Sequence, residues 1–415
     1  MHYFKYNRKK LENFLNKRRV RSNTNTEFVK KIIKDIKINK KKALLKYEKK
    51  YSKNDKIIPK NSEINSAIKS LDRDLKKAID SAYTRIMKFH KLQKTKNIKL
   101  IDSNKNKIEY VNVPIQSVGI YVPGNLPSTL LMNAIPAKIA GVKRVVLASP
   151  RMQGKLNPAV MYIANKCGIK EIITSGGAQA IASLAYIQNV DKIIGPGNDY
   201  VARAKKEVFG DVGVEGMVAG PSEVTILADR YTKINQLATS MIAQSEHGIN
   251  SQSILITKNK TIIEKTKISI FTILKTLPRN KIIKKCLKKN GLILLVKTDK
   301  ELIDAINQIA PEHLEILTKN PKKYLKNITN AGSIGIGKYS PVAASDYNVG
   351  TNHTLGTLGS AKFASGLNLS DFYKKISQFT LTKKGIEVIG KQAITLANYE
   401  NLHGHSLSVK SRITG

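Results

Sequence analysis

The residues best equipped for chemistry lie in the second half of the 415-residue chain, which also holds five of its seven histidines. Gln244 and His247, in QSEHG, stand three apart at the end of INQLATSMIAQSEHG. In that segment Ile234, Leu237, Ala238, Met241 and Ile242 recur with helical spacing. Two side chains so placed share one face of the last turn and could reach a common ion. The spacing alone favours a plainer reading, a histidine at the negative end of a helix dipole with Gly248 as the cap. Glutamine is an uncommon zinc ligand, and one histidine is not a site. Glu312 and His313, in APEHLEIL, follow Pro311 just before an expected strand. Together they offer two proton-transfer groups of different pKa, suited to deprotonating an alcohol and later activating water. Adjacent residues seldom face the same way, so the pair alone is more often surface decoration. SPVAASDYNVGTNHTLGT carries Asp346 and His353, hard or borderline ligands for zinc or manganese, in a long aperiodic segment of the kind that tends to be functional. NYENLHGHS holds Glu400, His403 and His405, which suit either a solvated end or a lid.

Such groups need a scaffold. Residues 1 to about 100 are nearly all helical in pattern and carry no recognisable chemistry. From Gln116 strands and helices alternate: QSVGIYV, PSTLLMNAIPAKIAG, RVVLAS, NPAVMYIANKCG, EIIT, KIIG and DYVARAKKEVFG. Pro158 stands at the first turn of its helix, and Gly141 and Gly168 stand at helix ends. A second run goes through EVTILAD, SQSILIT, LILLV, LEILT and SIGIG. This alternation predicts parallel sheets covered by helices, an α/β fold of two Rossmann-like units, with active-site residues beyond the carboxyl ends of the strands. The residues from about 368 onward read as a helical tail. The turns SGGAQ and GPGN follow strands and open helices, where backbone N–H groups can receive phosphate. Neither completes G-x-G-x-x-G, because Tyr200 stands where the third glycine would be. Tight strand-to-helix turns explain them equally well.

Composition narrows the class. Two cysteines, Cys167 and Cys286, can form neither a disulfide framework nor a thiolate zinc site. The first residues lack the apolar core of a signal peptide, and no run of about 18 apolar residues offers a membrane span. A soluble, cytoplasmic protein is expected. The net charge of +42 raises the question of a nucleic-acid partner. Lysines are instead spread over the whole chain, aromatics are few and tryptophan is absent. A specific nucleic-acid site usually concentrates charge and interleaves stacking rings. Weak, salt-sensitive adhesion to RNA is the most this charge predicts.

Taken in order, PSTLLMNAIPAKIAGV, GGAQAIASLAY, KIIGPGNDYVARAK, AGPSEV, AQSEHG, APEHLEI, SDYNVGTNHTLGT and ENLHGHS resemble the histidinol dehydrogenase family over essentially the whole chain. The resemblance implies a zinc- and NAD-dependent, four-electron oxidation of L-histidinol to L-histidine through an enzyme-held aldehyde. A paralogue acting on another small hydroxy compound, or a degenerate enzyme, would be the alternative. It implies zinc ligands Gln244, His247, Asp346 and His405, a catalytic pair Glu312 and His313, and NAD contacts Tyr121, Gln179 and Asn198. Substrate contacts would be Ser222, Gln244, His247, His313, Asp346, Glu400 and His405. It implies a homodimer whose C-terminal tail completes the partner subunit's site. The matching organisation is an N-terminal helical segment over 1–20, a discontinuous α/β domain over 21–120 plus 222–367 with the zinc and catalytic residues, a second α/β domain over 121–221 with the NAD contacts, and a helical tail over 368–415. Three positions depart from the family. Asn125 and Leu126 alone join Gly124 to Pro127 where a longer stretch is usual, Glu215 stands where Asp is common, and Ser240 replaces an acidic residue.

Overall fold

The computed structural model describes residues 1–20, 26–215 and 220–414. Strand β1 (His2–Lys5) and helix α1 (Arg8–Val20) open the chain, followed by helices α2 (Thr26–Ser52), α3 (Asn61–Lys69) and α4 (Arg73–Lys91) and strands β2 (Ile98–Ile101) and β3 (Lys107–Pro114). Next come β4 (Ser117–Tyr121), α5 (Pro127–Ala140), β5 (Arg144–Ala148), α6 (Pro158–Cys167), β6 (Glu171–Ile173), α7 (Gly177–Tyr186), β7 (Lys192–Ile194), α8 (Asp199–Val208) and β8 (Gly213–Val214). The second run comprises β9 (Glu223–Ala228), α9 (Ile234–Ser245), β10 (Gln252–Thr257), α10 (Lys260–Ile273), α11 (Asn280–Asn290), β11 (Leu292–Leu295), α12 (Asp299–Ile309), β12 (His313–Ile316), β13 (Ser333–Ile336) and α13 (Val342–Ser345). The tail holds β14 (Tyr373–Thr380), α14 (Lys383–Tyr399) and α15 (His403–Lys410).

The α/β expectation holds. Strands β6-β5-β4-β7-β8 form one parallel sheet and β1-β11-β10-β9-β12-β13 another. Both wind outward from their first strand and reverse between it and a later one, β4 beside β7 and β9 beside β12. In open parallel sheets that reversal leaves a crevice. Strands β4, β9, β10 and β11 are buried along their whole length, as parallel strands covered on both faces must be. Local signals set the helix ends: the Asn157 side chain accepts from the Ala159 and Val160 N–H groups ahead of Pro158, and Gly141 and Gly168 close α5 and α6 in the left-handed region, at φ 84° and 80°.

Three expectations are corrected. The first residues are not all helix: β1 pairs in parallel with β11, His2 opposite Leu292, and extends that sheet by one strand. Residues 26–91 pack chiefly on the other sheet, touching 222–367 only where α4 meets Asn348, Gly350 and Leu367. Val29, Ile32, Ile33 and Ile36 of α2 bury against α7 and α8, and Ile79, Ala82 and Ile86 of α4 pack with α5 and α6, so these helices cover the β4–β8 sheet. An amphipathic stripe says that a helix is buried, not which sheet it covers. The tail is not helical from 368. Tyr373–Thr380 form β14, which pairs antiparallel with β3 from Tyr373 opposite Pro114 to Thr380 opposite Lys107, and β2 completes a small third sheet. For short apolar runs the periods of helix and strand are hard to tell apart, and the partner strand decides.

Candidate active site

One cavity of about 160 Å³ lies where the two parallel sheets meet. Ser222, Gln244, His247, Glu312, His313 and Asp346 line one side of it, and Leu126, Gly195, Pro196 and Gly197 the other. The first group does not sit at the carboxyl ends of its strands, as expected. Ser222 precedes β9 and Glu312 precedes β12, whose first residue is His313, so these groups stand at the amino ends. The reason is the helix between the strands. Helix α9 leaves the carboxyl end of β9 and runs back, so its C-terminal turn, with Gln244, arrives at the amino edge. The turn ends at Ser245 with Glu246 as the cap, and Gly248 is not the cap.

The two walls therefore differ electrostatically. Across from α9 the β4–β8 sheet presents its carboxyl ends, followed by the amino ends of α5, α7 and α8. Helix amino ends favour anions such as phosphate, whereas the C-terminal end of α9 favours a cation. The segment 346–358 ties the walls together. Asn352 Nδ2 donates to the Met132 carbonyl (2.6 Å), and the Leu358 N–H donates to the Glu223 carboxylate (2.5 Å).

Burial sets the protonation of the first wall. His313, 3% exposed, is pushed down to about 3, chiefly by desolvation and then by His353 and His247. Its Nδ1 is buried with no partner among the described residues, and its Nε2 lies 3.8 Å from Asp346 Oδ1 and 3.9 Å from Glu312 Oε1. Desolvation raises Glu312 well above the ordinary glutamate range, against the Glu223 N–H that donates to its Oε2 at 2.8 Å. Burial raises Asp346 to about 6, and nearby Glu315 adds to the shift. His353 Nδ1 lies 2.7 Å from the Asp346 carbonyl. A carbonyl only accepts, so Nδ1 carries the proton and Nε2 is left as the acceptor of the neutral ring. Ser240 acts in the same neighbourhood: its hydroxyl helps hold Glu315 down, and a carboxylate there would oppose it.

Gln244, His247 and Asp346 supply an amide oxygen, an imidazole that burial keeps uncharged, and a carboxylate, all in forms a divalent metal accepts. Among the described residues no group of three or more His, Cys, Asp and Glu side chains comes together for a metal. These three donors alone leave a four-coordinate shell one ligand short.

Tyr121, Gln179 and Asn198 lie on the β4–β8 side but do not line the cavity; Tyr121 is 5% exposed, and its hydroxyl accepts the Gly177 N–H at 3.3 Å. The Asn198 side chain caps α8, accepting from the Tyr200 and Val201 N–H groups (both 3.1 Å). Gly195, at φ 103°, packs so tightly that a Cβ would lie 2.1 Å from the Tyr121 carbonyl oxygen. The short link after Gly124 leaves Leu126 as the residue before α5 and part of the cavity wall. Glu400 and His405 are exposed on the C-terminal helices and do not line the cavity.

Two supporting residues escaped the sequence reading. Glu48 is fully buried, and its Oε1 accepts from Ser175 Oγ (2.7 Å), the Gly176 N–H (3.1 Å) and Gln179 Nε2 (2.9 Å). It fills the amino end of α7 with the chain's own carboxylate and orients Gln179. Its place four residues after Leu44, on an otherwise apolar stripe of α2, was the available signal. Lys205 is also fully buried, donating to the carbonyls of Gly195 and Glu215 beneath the GPGN turn. The Glu215 carboxylate is itself paired with Lys192 at 3.1 Å.

Comparison with known proteins adds the remaining findings. A family model described as Histidinol dehydrogenase matches residues 15–413. A histidinol dehydrogenase of Pelagibacter ubique (strain HTCC1062) is 55% identical over 412 residues, 98% of this chain and 96% of the relative. One from Listeria innocua is 41% identical, with 92% of each covered. The crystal structure of histidinol dehydrogenase from Elizabethkingia anophelis superposes with a TM-score of 0.93 at 35% identity, covering 100% of this chain and 98% of that one.

Proposed function

The chain belongs to the histidinol dehydrogenase family, oxidoreductases of histidine biosynthesis, and from that premise we propose how its own residues carry the oxidation of L-histidinol. The observation that carries the reading is the gathering of Ser222, Gln244, His247, Glu312, His313 and Asp346 around one cavity, facing the Gly195–Pro196–Gly197 turn. At about 160 Å³ the cavity is smaller than the roughly 300–1,000 Å³ of pockets that enclose drug-sized ligands. It suits a small amino alcohol, with a dinucleotide extending outward along Tyr121, Gln179 and Asn198.

Gln244, His247 and Asp346 would hold zinc, and a second copy of the chain would supply His405, with Glu400 reaching the substrate. That homodimer would supply the fourth ligand and would account for the exposure of both tail residues in a single chain. When bound, zinc supplies a fixed positive charge that orients the substrate's amine and imidazole, and NAD accepts the electrons of both oxidations. Ser222 hydrogen-bonds the substrate. His313, uncharged in its buried setting, takes the hydroxyl proton, and the imidazolium so formed lies between the carboxylates of Glu312 and Asp346. Glu312 keeps Oε2 on the Glu223 N–H. Its raised proton affinity makes it a stronger base than an ordinary carboxylate, and it takes a proton from the water that adds to the aldehyde. Holding the aldehyde in the cavity between the two steps keeps it from escaping or reacting elsewhere.

The same reading places the protein in the cytoplasm. Both thiols, Cys167 and Cys286, are buried and unpaired, and among the described residues no helix is long and apolar enough to cross a membrane. The test is to follow NADH formation by zinc-loaded protein with L-histidinol and NAD and to quantify histidine at the end. Two NADH per histidine are expected. One NADH per aldehyde released would remove Glu312 from the second step, and no NADH would overturn the reading of the site.

A further inference from the structure

We propose that Arg18, on the N-terminal helix α1, is a positioning residue for the reaction: it grips both neighbours of Ser222 and, through Glu223, holds Glu312. The inference rests on the reading in which Ser222 contacts the substrate and Glu312 acts on water. Arg18 does not line the cavity. Its Nη1 lies 2.5 Å from Glu223 Oε2, with the two side chains only 7% and 5% exposed. Its Nη2 donates to the Pro221 carbonyl. Nη1 and Nε also reach Gln252 Oε1 and the Asn250 carbonyl, each at 3.3 Å. One planar, rigid cation thus fixes the residue before Ser222 and the residue after it, which a flexible ammonium could not do with the same geometry.

The grip passes on in two directions. The Glu223 peptide N–H donates to Glu312 Oε2 at 2.8 Å, so the angle of that peptide sets where the carboxylate points. The remaining Glu223 oxygen accepts the Leu358 N–H at 2.5 Å, fixing the end of the segment that carries Asp346 and His353. A sealed ion pair of this kind gives little net stability over apolar residues of the same size. What this pair supplies is orientation, since Glu223 is hydrogen-bonded to two separate parts of the site, Glu312 and the end of the segment 346–358.

The test compares Arg18→Met, Arg18→Lys and the double variant Arg18→Met/Glu223→Gln, measuring melting temperature, zinc content and steady-state kinetics with histidinol and with histidinaldehyde. Arg18→Met should lower kcat with histidinaldehyde by about ten-fold or more, as expected when a reacting group is misplaced, and leave KM for NAD within about two-fold. Arg18→Lys should recover part of the rate. The double variant removes the unpaired carboxylate and should recover the melting temperature without the rate. Recovery of rate together with melting temperature, or an equal rise in KM for NAD, would overturn the proposal by making the pair merely structural. Glu312→Gln is measured alongside. Full histidinaldehyde turnover there removes the Glu312 reading, whereas an impaired Glu312→Gln beside a normal Arg18→Met removes the role of Arg18.

Discussion

Replacing Lys205 by Met isolates one buried amine beneath the GPGN turn. Burial lowers this ammonium from 10.5 to about 7, against the pull of Glu215. The uncharged amine has two N–H groups, and two carbonyls, those of Gly195 and Glu215, are there to accept them. Below about pH 7 the group is charged in both native and unfolded chains, and the whole cost of burying the charge is present. Above 10.5 it is neutral in both. Between these values the unfolded chain binds one more proton than the native one, so stability rises with pH. At about 1.36 kcal/mol per pH unit, the drop from 10.5 to about 7 is worth about 5 kcal/mol over the full window. Between about pH 7.5 and about pH 9.5 the gain is roughly 2–3 kcal/mol. Urea denaturation of the two proteins across that range is the assay. The variant keeps the apolar stem, and the comparison cancels the relaxation of the overall charge of +42, which both chains share almost equally. The wild-type minus variant difference should move by roughly 2–3 kcal/mol in favour of the wild type as pH rises. A constant difference would refute the claim that the buried amine is neutral.

Three further outcomes follow from the site. His313→Ala should fold and keep its zinc while kcat falls by about 10²–10⁴-fold, the range for losing a general base; normal turnover removes the residue from the mechanism. His405→Asn should lose zinc to a chelator that leaves the wild type loaded. Mixed with His247→Asn and allowed to exchange subunits, it should regain roughly a quarter of wild-type activity if each site in a symmetric dimer draws on both chains, and no regain argues for sites within one chain. Gly195→Ala should lower stability by at least about 1–3 kcal/mol from its backbone angle alone, with more from the Cβ placed 2.1 Å from the Tyr121 carbonyl; an unchanged melting temperature would show that the turn can relax.

Much of the scaffold was legible because its signals are local. Pro158, Gly141 and Gly168 mark helix ends wherever they occur, and apolar runs such as SILIT and LILLV need cover on both faces. The pairing of β1 with β11 and of β14 with β3 depends on partners hundreds of residues away, which no local period encodes. The site followed the same divide. The types of Gln244, His247, Glu312, His313 and Asp346 were visible, but their convergence came only from family resemblance, since spacings of tens of residues carry no direction. The amino-edge placement was missed because the usual rule concerns phosphate at helix amino ends, and this wall is built from the opposite end of α9. Arg18 and Glu48 lay in helices read as inert, yet each breaks an apolar stripe, Arg18 seven residues after the fully buried Leu11 and Glu48 four after Leu44.

The strand at the very start of the chain bears on how the protein is made. The β4–β8 sheet can close once residue 214 has been synthesised. Strand β1 must wait for β11, since His2 pairs with Leu292. At about 5–20 residues per second, roughly 4 to 16 seconds of elongation separate the completed sheet from the arrival of Leu292. Throughout that interval β1 and α1 are a tethered arm with no edge to join, and parallel pairings across such distances form slowly. Arg18 is carried on this arm, so the grip on Ser222 and Glu312 is among the last features to form. A newly made chain thus passes through a stage in which one sheet is complete and the chemistry is not yet assembled.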